Sequence, residues 1–264
     1  MRCAATSATG HVRAANEDAF SLGGVIARSG VASCRLSTES ALFRRFGLLL
    51  AVADGIGGTE AGAEASRIVL TALTQSYYEE PRGELDRRQF VAGIRECVKG
   101  AAGALQAAAA REPSLLDSGT TLCVMALQAT GAMALLWAGD SRGVWVTAGG
   151  ARQLTTDHAL STIRTDSVTG ESSAVSGHSL FRYIDSHGAC AVDMASEATW
   201  VAWERYVLGT DGWYGSGRGL PWDEVVGLMR AAASPEAAAE QLVAEAVAVD
   251  GSDNATALVA WCEE

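Results

Sequence analysis

Apolar residues recur at helical spacing in four stretches of the chain and run almost unbroken in six shorter ones. After a glycine-rich turn, residues 61–79 place Ala65, Val69, Ala72 and Leu73 on one face. Residues 86–111 repeat the pattern with Phe90, Ile94, Cys97, Ala101, Leu105 and Ala108, and stop before Pro113. Pro221 opens a short helix over 222–232. Ser234-Pro235-Glu236 then supplies an N-cap, a proline at the first helical position and an acid that complements the dipole. That last helix is predicted to bury Leu242, Ala246 and Val249.

The shorter runs, Leu48–Ala53, Leu122–Leu127, Ala132–Ala138, Gly143–Thr147, Val201–Leu208 and Ala255–Cys262, have the length of buried strands. Consecutive strands without an intervening helix imply hairpins and mostly antiparallel pairing, which excludes a strictly alternating Rossmann-type order. Residues 161–200 have no stable period and read as a mobile excursion carrying little core. Gly23–Thr38 reads as a second, smaller loop.

Several strands run into an acid. Asp54 ends one in LLLAVADGIGG, Asp140 follows another in LLWAGDSR, Asp211 follows a third in RYVLGTDGW, and Asp253 precedes the last in GSDNATALVAW. Arg13, Glu17 and Asp18 fall early, in VRAANEDAF. One such junction is usually an Asx turn. Gathered carboxylates, however, raise one another's pKa unless cations neutralise them, so the pattern points to a divalent-metal centre. The candidates are all oxygen donors, with the Gly55 carbonyl beside them and no His or Cys, which suits Mg²⁺ or Mn²⁺ and disfavours Zn²⁺. Two such ions can activate a water and polarise a phosphoryl oxygen, and Arg13 can offer its fork of donors to phosphate. From the chemistry alone, metal-assisted phosphoester hydrolysis is the leading reading.

Composition narrows the setting. The chain has 264 residues, 48% of them hydrophobic, enough for a sizeable core. A formal charge of −11 argues against nucleic-acid or anionic-membrane partners. The start has no signal-peptide pattern, and no run approaches the roughly 18 apolar residues of a membrane span. The six scattered cysteines form no CxxC pair and read as reduced, partly buried thiols, consistent with a cytoplasmic protein.

The segments Gly10–Asp18, Ala51–Gly58 with Glu64–Ser66, Ser118–Thr121, Ala138–Arg142, Leu154–His158, Gly209–Gly212 and Asp253–Thr256 resemble, in this order, the metal-dependent serine/threonine protein phosphatases of the PPM, or protein phosphatase 2C, family. The resemblance spans residues 10–256. It implies an α+β fold, a four-layer α-β-β-α sandwich with two central, mainly antiparallel sheets flanked by helix pairs, formed by residues 1–264 as one domain. It implies that Asp54 bridges two Mn²⁺ or Mg²⁺ ions and that the Gly55 carbonyl serves one of them. Glu17, Asp211 and Asp253 complete the shell directly or through water, and Asp18 holds a metal-bound water. Asp140 with Asp211 matches a third, weaker metal site. Arg13 matches the family's phosphate-binding arginine. The implied partners are phosphorylated proteins, substrates of a Ser/Thr kinase, with a free-standing bacterial monomer as the default.

Two departures stand out. Ile56 occupies the position where animal members carry a proposed general-acid His, and Thr59 the place of a His common in bacterial members. Residues 159–200, where the family carries a flap, match its pattern poorly, with Leu180–Asp185 only a faint echo. Two other readings stay open: a catalytically weak docking module on the same fold, and a small-phosphoester hydrolase. Elsewhere plainer roles are expected. His158 is read as a hydrogen-bonding residue, Thr120-Thr121 as packing and back-bonding, Ser141-Arg142 as a salt-bridging pair, and Trp137, Trp145, Trp203 and Trp261 as core.

Overall fold

The computed structural model describes all residues except 148, 166–171, 196–198, 215–219 and 263–264. Two six-stranded sheets face each other. One runs in the order β11 (Gly150–Gln153), β10 (Arg142–Thr147), β16 (Arg205–Gly209), β17 (Ala255–Trp261), β1 (Arg2–Ala8), β4 (Gly30–Arg35). The other runs β15 (Asp193–Ala195), β9 (Met133–Ala138), β8 (Leu122–Leu127), β5 (Leu48–Ala53), β2 (Ala19–Leu22), β3 (Val25–Ala27). Pairing is antiparallel throughout both. Two small sheets, β6 (Gly55–Ile56), β7 (Gly119–Thr120) and β14 (Ile184–Asp185), and the hairpin of β12 (Ala159–Thr165) with β13 (Ser172–Leu180), complete the strands.

The unbroken apolar runs are explained by burial on both faces. In β5, Leu48, Leu50 and Val52 enter the core between the sheets, while Leu49, Ala51 and Ala53 enter the core under α2 (Thr59–Glu79) and α3 (Arg87–Ala109). In β17, Leu258 and Ala260 face the opposite sheet, and Ala257, Val259 and Trp261 face α4 (Trp222–Ala231) and α5 (Pro235–Val249). Each sheet therefore needs a helix pair outside it, and the α-β-β-α sandwich follows. A short further helix, here α1 (Ala41–Phe46), sets Phe43 into the inter-sheet core.

Several expectations need correcting. Gly23–Thr38 is not a loop: it contributes an edge strand to each sheet, β3 and β4. In β4 the pattern is period two, with Ala32 and Cys34 turned toward the core and Val31, Ser33 and Arg35 outward, but weakly apolar residues hide it. Strand β1 had no counterpart in the sequence reading because Cys3, Ala4, Ala5 and Ser7 are small and neither β-branched nor aromatic, leaving Thr6 alone with strand character. Val249, the last residue of α5, is exposed. Trp203 is 72% exposed in a turn with φ 73°, so it is no core residue, and its strand begins only at Arg205. The excursion at 161–200 includes residues outside the described part, yet Ile184 is fully buried and Asp193–Ala195 forms a sheet edge.

Candidate metal centre

The ends of four core elements open onto one cavity of about 230 Å³, lined by Arg13, Glu17, Asp54, Gly55, Asp140, Asp211 and Asp253, with Ile56, Leu180 and Asn254 at its sides. Asp18 lies behind this wall, fully buried. Every residue singled out from the sequence is thus in or directly behind one pocket.

Local bonding explains the placement. Asp54 leaves β5 with its amide donating to Thr121 Oγ1 at 2.9 Å, and its carbonyl accepts from the Thr121 amide at 2.8 Å and Thr120 Oγ1 at 2.9 Å. Thr121 Oγ1 also meets Ser141 Oγ at 2.6 Å, tying the Asp54 backbone to the Asp140 turn. The Glu17 carbonyl accepts from Ser66 Oγ at 2.7 Å, and its amide donates to Asn254 Oδ1 at 2.8 Å. Asn254 Nδ2 donates to the carbonyls of Thr9 at 2.9 Å and Ala15 at 3.1 Å, so one amide side chain staples the N-terminal loop to the loop before β17. Gly62 lets the first turn of α2 approach the Glu17 carboxylate, since a Cβ there would collide with Oε2.

Asp18 is held from behind. Its Oδ2 accepts from Thr210 Oγ1 and Thr256 Oγ1, both at 2.7 Å, and Thr256 Oγ1 also meets Ser7 Oγ at 2.7 Å. Asp18 Oδ1 is buried with no hydrogen-bond partner. An ionised carboxylate oxygen in that state is costly unless a cation completes it.

The electrostatics point the same way. Burial pushes Asp18 up to about 7 and Asp211 up to about 8; the charges of Asp140, Asp253 and Asp18 add to the shift at Asp211. Asp54 is raised well above the carboxylate range by burial, then by Asp18, Asp211, Asp253 and Asp140. Glu17 is raised by burial, with Arg13 opposing. Among the described residues the pocket brings the carboxylates round one space without clustering three His, Cys, Asp or Glu on a single point. Hard divalent cations fit this donor set: its oxygens are unaccompanied by soft ligands, they repel one another, and Asp18 presents one that lacks a donor.

Arg13 is not idle. Its Nη2 donates to Asp253 Oδ2 at 2.6 Å, with the two side chains 48% and 28% exposed. A half-exposed pair of this kind contributes about 0–1 kcal/mol, so an incoming dianion can compete for the guanidinium.

The plainer readings also find their places. His158 accepts the Gly139 amide at Nδ1 (3.1 Å), which leaves Nε2 to donate to Asp193 Oδ2 (3.2 Å); the ring stacks on Trp137. Arg142 makes a two-pronged bond to Asp157 at 3.0 and 2.7 Å. The sequence reading missed the supporting roles of Ser66, Thr210, Asn254, Thr256 and Gly62. Their signal was a hydroxyl or amide residue near each acid, and a glycine early in a helix.

An α-β-β-α sandwich with an oxygen-lined pocket at its strand ends is the arrangement expected of metal-dependent serine/threonine phosphatases. Residues 40–245 match the family described as protein phosphatase 2C, and the chain belongs to that family. It is 32% identical over 268 residues to the serine/threonine protein phosphatase PstP of Mycobacterium tuberculosis strain H37Rv, covering 98% of this chain and 45% of that protein; the chain thus spans under half the length of this relative. It is 26% identical over 215 residues to the serine/threonine phosphatase stp of Listeria welshimeri, covering 80% of this chain and 83% of that one. A crystal structure of the M. tuberculosis PstP superposes with a TM-score of 0.73 at 26% identity, covering 99% of this chain and 98% of that chain. Another, of the PstP catalytic domain in complex with two manganese ions, gives 0.71 at 26% identity with both chains fully covered.

Proposed function

We propose that the chain hydrolyses phosphoserine and phosphothreonine in proteins, using two Mn²⁺ or Mg²⁺ ions and opposing a Ser/Thr protein kinase. The observation that carries this reading is the convergence of Glu17, Asp54, Asp140, Asp211, Asp253 and Arg13 on one small cavity backed by Asp18. Asp54, the Gly55 carbonyl, Glu17, Asp211 and Asp253 would hold the two ions, Asp18 would act from behind, and Asp140 with Asp211 would serve a third, weaker site. When bound, such ions supply a water of lowered pKa and polarise the phosphoryl oxygens.

The protein's own groups do the rest. Arg13 exchanges Asp253 for two phosphoryl oxygens and fixes the phosphate against the carboxylate wall. Thr210 and Thr256 keep Asp18 Oδ2 satisfied, which leaves Oδ1 as its buried oxygen without a hydrogen-bond partner. Ile56 brings no imidazole to the leaving oxygen, so the proton for the departing Ser or Thr comes from water. Residues 1–264 are read as one domain, since Glu17 and Asp253 serve one site from opposite ends of the chain.

The test is phosphate release from a phosphothreonine peptide with Mn²⁺, with chelator, and with Asp211→Asn. Loss of release in the last two supports the reading. Turnover that survives chelation overturns the metal mechanism, and metal binding without turnover on any phosphopeptide favours a docking module.

A further inference from the structure

We propose that Cys3 and Cys34 form a reversible disulfide pair, a modification site whose reagent is a small-molecule disulfide such as oxidised glutathione. The two residues are direct partners in the antiparallel register of β1 and β4. Directly opposed residues in such a pair have Cα atoms about 4.5 or 5.5 Å apart, and either separation lies inside the range of about 4.4–6.8 Å that a disulfide spans. Both side chains point to the same face, the core between the sheets. The two thiols are close enough for each to perturb the other's ionisation.

Access differs between the two. Cys3 is buried, whereas Cys34 sits on the edge strand and is only partly covered. Contact with Cys3 holds the Cys34 thiol below its ordinary value. Cys34 is therefore the attacking group. Its thiolate displaces one thiolate from the reagent and forms a mixed disulfide. Cys3, deprotonated, then attacks the Cys34 sulfur and releases the second. Two protein thiols lose two protons and two electrons, and the reagent gains them as two thiols. A third thiol in the same core, Cys262, lies opposite neither of them: the residue paired with Cys3 across β1 and β17 is Ala260.

The bond would clamp the edge strand β4 to β1, the strand that leads into the Arg13–Asp18 loop. The experiment is incubation of the full chain with oxidised glutathione, followed by intact mass and non-reducing peptide mapping. The expected result is a mass lower by two hydrogens, a Cys3–Cys34 cross-linked peptide and its reversal by dithiothreitol. Melting temperature should rise by roughly 5–10 °C on oxidation. Cys34→Ser should abolish the cross-link, and Cys262→Ser should leave it unchanged. A persistent glutathione adduct on Cys34 without ring closure, or a cross-link through Cys262, would overturn the assignment. The wild-type peptide map decides the matter even where a variant folds poorly.

Discussion

Asp54 and Asp211, half-buried, line the inner wall of the pocket and Asp18 is buried behind it; burial is the first cause that pushes all three up, and facing carboxylates add to it. On the outer rim, Asp253 has an arginine at 2.6 Å and is partly exposed to water. The same side chain thus meets two electrical conditions a few residues apart in space. On the rim a protein cation balances it. On the wall burial and facing carboxylates dominate, and the donor set is suited to an ion from outside. The wall is where metal affinity should originate and the rim where substrate phosphate should be exchanged.

The largest expected effect comes from removing a charge from the wall. Asp54→Asn should lower phosphate release by at least roughly a hundredfold, since even outer supporting residues of metal sites cost about 10–100-fold. Turnover within a few-fold of wild type would place the centre elsewhere.

The second test uses pH on the chelated protein. Asp18 and Asp211 rise from ordinary carboxylate values to about 7 and about 8 in the fold. A raised folded-state value means stability that is full at acidic pH and lost as pH climbs through the folded value. The melting temperature with chelator should therefore fall between about pH 4 and 8, and saturating Mn²⁺ should flatten that fall. Calorimetry on Asp211→Asn, which should melt above wild type at pH 8 in chelator, isolates the wall from the remaining carboxylates. An equal decline in all three samples would remove the distinction between wall and rim.

Smaller again is the support behind the wall. Thr256→Val takes one of two donors from Asp18 Oδ2 and should weaken Mn²⁺ binding about 10-fold by titration calorimetry. The least effect on the centre itself is expected at the rim. Arg13→Ala should raise KM for a phosphopeptide roughly tenfold with Mn²⁺ affinity nearly unchanged. If metal binding collapsed instead, Arg13 would belong to the wall.

How much of this was legible in the chain varies by element. The strands Leu48–Ala53 and Leu122–Leu127 were visible because burial on both faces leaves an unbroken apolar run. Strand β1 was not, because one Thr among Ala, Cys and Ser is too weak a strand signature; its burial comes from what packs on either side. The acids at strand ends were equally visible, since an Asp after five or six apolar residues is conspicuous. The hydroxyls that hold them were not, because a Thr such as Thr210 or Thr256 has no meaning until its partner is known.

The sequence by itself determined the donor chemistry: oxygen-only candidate donors, placed where apolar strands end, beside one arginine. The tertiary structure decided which of them meet. Arg13 and Asp253 lie 240 positions apart and form an ion pair only because β1 and β17 are neighbours in one sheet. It also decided their charge states, because a carboxylate's pKa depends on the water it has lost and the charges facing it, and neither is written in the order of residues.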